Sequence, residues 1–162
     1  YIMMNKPQGV LSATMDEDET VIDLLDDFYQ VLDLSIAGRL DKDTTGLLLL
    51  STDGKFVHTI TSPNSNIEKT YEVETRDPIN PSFIEEFKNG VEIKEEDYIA
   101  DKKAIVKVSE GKFHLVKRLF SNLGNEVVSL KRIAIGDLKL DPFLQEGSYR
   151  ELHDEELALF IN

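Results

Sequence analysis

The stretch "AGRLDKDTTGLLLLSTDG", residues 37–54, sets Arg39, Asp41, Lys42, Asp43, Thr44 and Thr45 directly against four consecutive leucines. Leu47 to Leu50 form an unbroken apolar run bounded by Gly46 and by Asp53-Gly54. That pattern predicts a strand covered on both faces rather than one with a wet side. The charged loop before it is therefore held by a rigid, buried element.

Working outward, "YIMMN" at the start reads as a strand, stopped by Lys6-Pro7 and Gly9 because proline cannot donate to a ladder. Thr20 precedes "VIDLLDDFY", in which Val21, Leu24, Leu25 and Phe28 predict one face of a helix behind a cap. "KFVHTIT" predicts a short helix ending near Ser62-Pro63, and "KTYEVET" (69–75) alternates as a strand. Asn80-Pro81 starts a second helix, "PSFIEEFKN", ended by Gly90. "AIVKVS" is a strand, "KFHLVKRLFSNL" a helix before Gly124, and "EVVSLKRIAI" a strand. Strands separated by isolated helices, without a regular βαβ alternation, predict an α+β fold with a mixed, largely antiparallel sheet. There is no internal repeat and no linker.

At 162 residues and 41% hydrophobic content, the chain suffices for one sizeable core, in one unit or two lobes. It has no cysteine, which excludes disulfides and thiolate metal sites. With no bilayer-length apolar run and no signal-peptide pattern, it is read as cytoplasmic, with no membrane partner, and as a monomer. It opens on Tyr1 rather than Met, so a preceding segment is expected. The net charge of −13 opposes a polyanionic partner, yet between Lys102 and Lys139 nine Lys or Arg face three acids. Such a basic stretch fits either scattered surface lysines or a phosphate-facing side.

Common catalytic arrangements are missing from the sequence. His58, His114 and His153 are far apart and none has metal-ligand spacing, so no metal is expected. No nucleophile elbow, phosphate loop or dinucleotide fingerprint is present, so no cofactor is expected. What remains is a carboxylate in the opening loop. Asp41 and Asp43 lie two apart, and only one of them need face a cleft. Either alone also fits a turn or cap.

"GRLD" (38–41), continuing into "KDTTGLLLLSTDG", resembles the catalytic motif of pseudouridine synthases, specifically the RsuA family acting on small-subunit (16S) ribosomal RNA. "NKPQG" (5–9), "TSPNSNIEKTYEV" (61–73), "EGKFHLVKRLF" (110–120), "LGNEVVSLKRIAIGDLKLD" (123–141) and "GSYRELHDEE" (147–156) resemble further family segments in family order. The resemblance covers nearly the whole chain. It implies that residues 1–162 are a catalytic domain with a cleft between two lobes. Members commonly carry a small basic S4-type RNA-binding domain ahead of this point; it is expected to fall outside residues 1–162, and weak, salt-sensitive RNA binding by these residues alone is expected.

The implied reaction detaches uracil from C1′ of a uridine in RNA, turns it and rejoins it through C5. Asp41 matches the family's catalytic carboxylate, acting at C1′ or by taking a proton from C2′. Tyr71 is implied to stack on the extruded base, which must leave its helix to be reached. Arg39 is implied to occupy the gap left by the flipped nucleotide. Lys117 is implied to pair with Asp41, with its neighbour Arg118 about 100° away around the helix. The implied substrate-binding set is Arg39, Arg118, Thr45 and Lys6. Leu115 stands where the family usually has Gln, and Ile99 to Lys112 is shorter than the family's stretch, where a strand and hairpin precede "SEGKFH". The alternatives are the same chemistry on large-subunit rRNA, or a non-catalytic RNA-binding or ribosome-assembly module of the same fold.

Overall fold

A computed structural model describes residues 1–79, 91–92, 98–100, 102–108, 113–122 and 124–161. The helix predicted over 81–89 lies outside them.

The leucine run is the centre of the architecture. β3 (Thr45–Ser51) is buried from Gly46 to Ser51, and β1 (Ile2–Lys6) lies antiparallel beside it with Met4 opposite Leu48. β10 (Tyr149–Glu151) extends the sheet beyond β1, and β2 (Ser35–Ala37) pairs with the end of β3. Because side chains alternate along a strand, the run splits by parity. Leu48 and Leu50 pack with Ile2, Met4 and Tyr71, whereas Leu47 and Leu49 pack with Met3, Phe56 and Ile60. A fully buried leucine contributes about 1.5–3 kcal/mol, so these four anchor both cores. The expectation of a strand covered on both faces is met.

The second half of the sheet is antiparallel. β4 (Lys69–Thr75) lies between β7 (Lys103–Val108) and β8 (Val127–Ile135). β5 (Val91–Glu92) and β6 (Tyr98–Ala100) pair with β7, and β9 (Leu138–Lys139) with β8. The β6–β7 pairing supplies a hairpin in the stretch that reads as short. Among the described residues the strand order is β10-β1-β3-β8-β4-β7-β5. The halves join through a parallel contact of two register pairs, Thr45 with Lys131 and Gly46 with Arg132. The result is α+β with a mostly antiparallel mixed sheet, as the sequence predicts, and the site lies at that junction.

Two helices matter for it. α2 (Gly54–Thr61) starts where Asp53 accepts hydrogen bonds from the Lys55 and Phe56 amides, buries Phe56 and Ile60 four apart, and stops before Pro63. α3 (Phe113–Asn122) buries Val116 and Phe120 and carries Lys117 beside them. The helix predicted over residues 21–29 is instead a 3-10 turn (Val21–Leu24) followed by the single turn α1 (Asp27–Gln30). Leu25 between them is extended with ψ 153°, and Asp26 begins a new turn. Val21 and Leu25 are buried but Phe28 is 70% exposed, so the apolar face does not continue. The aspartates there favour caps over helix interiors, which breaks the run.

Candidate active site

Residues 38–44 connect β2 to β3, and this loop is tied down along its length. Arg132 donates from Nη2 to the Gly38 carbonyl at 2.8 Å, and the Leu40 amide donates to Ser12 Oγ at 3.1 Å. The Gly9 amide reaches the Lys42 carbonyl at 2.8 Å, and the Thr44 amide closes a turn on the Asp41 carbonyl at 3.0 Å. From below, Lys6 Nζ donates to the carbonyls of Pro7, Lys42 and Thr44 at 3.1, 3.2 and 2.9 Å. Asp41 is therefore presented on a preorganised turn.

The lysine under that turn corrects one expectation. Lys6 is fully buried, with its ammonium spent on backbone carbonyls, so it supports the loop and does not face substrate. Burial lowers its pKa to about 8, against the opposing pull of the Asp43 and Asp41 charges.

The Asp41 side chain is about a third exposed (34%), and Lys117 Nζ lies 3.7 Å from Oδ2. The same ammonium is closer to Asp43, 3.2 Å from Oδ1 and 3.3 Å from Oδ2. Lys117 thus bridges the two carboxylates, and Arg118, one residue on, points to solvent. Arg39 is exposed on the rim of the cleft. Thr45 sits opposite Lys131 at the sheet junction and is not part of the cleft lining.

Asp41 stands at the mouth of a cleft of about 650 Å³ whose inner wall includes Tyr71, Arg132 and Lys69. Tyr71 is 1% exposed and belongs to the core as well as to the cleft lining. It lies directly opposite Arg132 on β8, and the guanidinium donates to its hydroxyl. Burial raises the Tyr71 pKa, which Arg132 opposes and the Asp41 charge reinforces, so the phenol stays protonated at neutral pH.

Arg132 is the principal residue the sequence reading misses. It is 2% exposed, and Nε donates to the Leu47 carbonyl at 2.8 Å. One guanidinium thus links β3, the Asp41 loop and Tyr71. Burial pushes its pKa down and Tyr71 opposes that shift. Two local features deliver it there. Gly46 has φ +105°, and a Cβ on it would lie 2.2 Å from the Arg132 carbonyl oxygen, so the strands meet at a spacing that admits no side chain. A bulge between Thr70 and Tyr71 shifts the β4–β8 register, leaving Ile133 without a partner on β4. Lys69, also missed, lies two residues before Tyr71 on the same inward face.

Four cations of the basic stretch noted in the sequence face different surroundings. Lys131 and Lys103 are opposite Glu72 and Glu74 in the registers of β4, while Arg132 turns inward and Lys117 faces the Asp41 loop. No cluster of His, Asp or Glu that could hold a metal ion occurs among the described residues. Nor is any described helix long and apolar enough to cross a membrane.

Comparison with known proteins gives a consistent result. Residues 1–142 match the family described as RNA pseudouridylate synthase. The ribosomal small subunit pseudouridine synthase A of Vibrio cholerae is 44% identical, over 98% of this chain and 72% of its own length. Its namesake from Escherichia coli K12 is 42% identical, over 99% and 74%. A crystal structure of a pseudouridylate synthase superposes with a TM-score of 0.87 at 39% identity, covering 99% of this chain and 73% of that one. The archaeal box H/ACA sRNP Nop10-Cbf5 complex shares the fold, with a TM-score of 0.62 at 19% identity over 91% of this chain and 51% of that one.

Proposed function

The chain belongs to the RNA pseudouridylate synthase family, and from that premise we propose that it isomerises a uridine of small-subunit ribosomal RNA, with Asp41 acting on the sugar of a flipped-out nucleotide. Its relatives of 42–44% identity carry that substrate in their names. The observation that carries the mechanism is one juxtaposition: a partly exposed carboxylate on a pinned turn, beside Lys117, at the mouth of a cleft lined by Tyr71 and Arg132.

The chemistry follows from that layout. In the isomerisation the C1′–N1 bond breaks, with its electron pair leaving on uracil. C5 then bonds to C1′, the C5 proton is lost, and N1 takes up a proton. A carboxylate at the sugar can trap C1′ or remove the C2′ proton, and Asp41 serves either route. No second acid is needed to activate water, because the departing base returns as the nucleophile. Lys117 supplies a cation 3.7 Å from the carboxylate. Unstacking costs a few kcal/mol, which contacts with Tyr71 and the cleft walls offset. Arg39, exposed on the rim, is the residue assigned to enter the vacated helical space.

The test is to incubate the full-length protein and an Asp41→Asn variant with small- and large-subunit rRNA and map pseudouridine by chemical probing. We expect one modified uridine in small-subunit rRNA and none with the variant. Product from Asp41→Asn at the wild-type rate removes Asp41 from the mechanism, and modification of large-subunit rRNA alone reassigns the substrate.

A further inference from the structure

Lys69 is 8% exposed, yet it lines the cleft. Among the described residues its ammonium has a single hydrogen bond, 3.4 Å to the Ile60 carbonyl near the C-terminus of α2. Lysine has three donors, and a bond of that length is at the weak limit. Supporting the end of α2 therefore leaves most of the hydrogen-bonding capacity of Lys69 unused. No described carboxylate pairs with it, and the charge acting on it is that of Arg132. Burial first, and Arg132 second, lower its pKa.

Two buried cations therefore share one wall with no anion between them among the described residues. Such an arrangement costs desolvation and like-charge repulsion. The missing negative or carbonyl partner is what a bound molecule would bring.

Depth in the cleft identifies which part of the nucleotide that is, given the proposed action of Asp41 on the sugar. Asp41 is at the mouth, near Lys117, whereas Tyr71, Arg132 and Lys69 are nearly sealed on the inner wall. A nucleotide with its sugar at Asp41 puts its base inward and leaves its phosphates outside, toward Arg39 and Lys42. We propose that Lys69 is a substrate-binding residue that donates a hydrogen bond to a carbonyl oxygen of the flipped uracil. When the C1′–N1 bond breaks, the electron pair spreads over N1 and both carbonyl oxygens, so this contact strengthens as the base departs. Lys69 keeps its proton throughout.

The test is a cycle of protein and RNA changes in the full-length protein, read as single-turnover rates. Wild type and Lys69→Met are each given RNA bearing uridine, 2-thiouridine or 4-thiouridine at the target position, or a methylphosphonate on its 5′ side. With uridine, Lys69→Met is expected to slow the reaction about 10- to 100-fold, the range for a charged hydrogen bond, with RNA affinity little changed. Lys69→Arg regains most of the rate. One thio substitution slows wild type but adds little to Lys69→Met, because the contact it weakens is already gone.

The proposal is overturned if both thio penalties carry over in full to Lys69→Met, or if that variant reacts at the wild-type rate. It is also overturned if the methylphosphonate penalty is the one that disappears, which assigns Lys69 to a phosphate. Thermal melts monitor folding, and Lys69→Gln takes the same cycle if the Met variant does not fold. An active Asp41→Asn defeats the assignment of Asp41 but leaves this cycle readable, since it reports contact with base atoms whichever group attacks the sugar.

Discussion

Replacing Gly46 by Ala separates two physical effects that coincide at the sheet junction. Gly46 combines a φ of +105° with backbone so close that a Cβ would lie 2.2, 2.7 and 3.0 Å from the carbonyl oxygen, nitrogen and carbonyl carbon of Arg132. Gly9 has a comparable φ of +94° with nothing within 4 Å, and Gly54 has neither a positive φ nor a neighbour. The left-handed conformation alone costs an L-residue about 1–2 kcal/mol. Forcing a methyl into packed backbone adds about 1–3 kcal/mol. Gly9→Ala is therefore expected to lose about 1–2 kcal/mol, and Gly46→Ala about 2–5 kcal/mol, a large part of the roughly 5–15 kcal/mol that holds a domain together. Gly54→Ala, at the start of α2, is expected to be neutral or stabilising by less than about 1 kcal/mol.

Urea unfolding of the three variants gives the comparison, with the Gly46→Ala midpoint lowered by roughly 1–2 M. Activity adds an independent readout. Gly46 contacts the backbone of the residue whose side chain holds Gly38, Leu47 and Tyr71. Folded Gly46→Ala is thus expected to form pseudouridine at least tenfold more slowly, while Gly9→Ala loses little. Equal midpoints and equal rates for Gly46→Ala and Gly9→Ala would refute the idea that the strand contact, rather than the dihedral angle, sets the requirement for glycine.

Three further outcomes are expected. Tyr71→Phe removes the hydroxyl that accepts from Arg132, leaving a buried donor unpaired at about 1–3 kcal/mol; the variant should fold with a large loss of rate, and an unfolded product would favour a purely structural role. The pKa of Lys6 falls from 10.5 to about 8 on folding, so between those values the unfolded chain holds more protons and this group makes stability rise with pH. The stability gap between wild type and Lys6→Met should therefore widen from pH 7.5 to 9.5 in urea titrations, and a constant gap contradicts the shift. Asp43→Asn, in contrast, removes only an exposed partner of Lys117; we expect a stability change within about 1 kcal/mol and retained activity, measured by melts and by product formation.

How much of this was legible in the residues varies by element. The leucine run and the alternation in "KTYEVET" marked buried strands because burial imposes its period directly on composition. The segment at residues 21–29 differs from its prediction because its apolar spacing is helical while its aspartates restart the chain. Lys6 in its motif gives no sign that its ammonium is turned onto three carbonyls.

The sequence by itself determined the strands β1, β3, β4, β7 and β8, the helices α2 and α3, the α+β class, and the loop that carries Asp41, since periodicity and local turn chemistry are written in neighbouring residues. Only the tertiary structure decided that Lys69 and Arg132 face the cleft while Lys131 does not. In "SLKRIAI" the two cations are adjacent, and which of them points inward depends on strand register and on the bulge at Ile133. A shift of one residue would exchange them, and that register is fixed by β3 and β4, segments tens of residues away whose pairing no local pattern encodes.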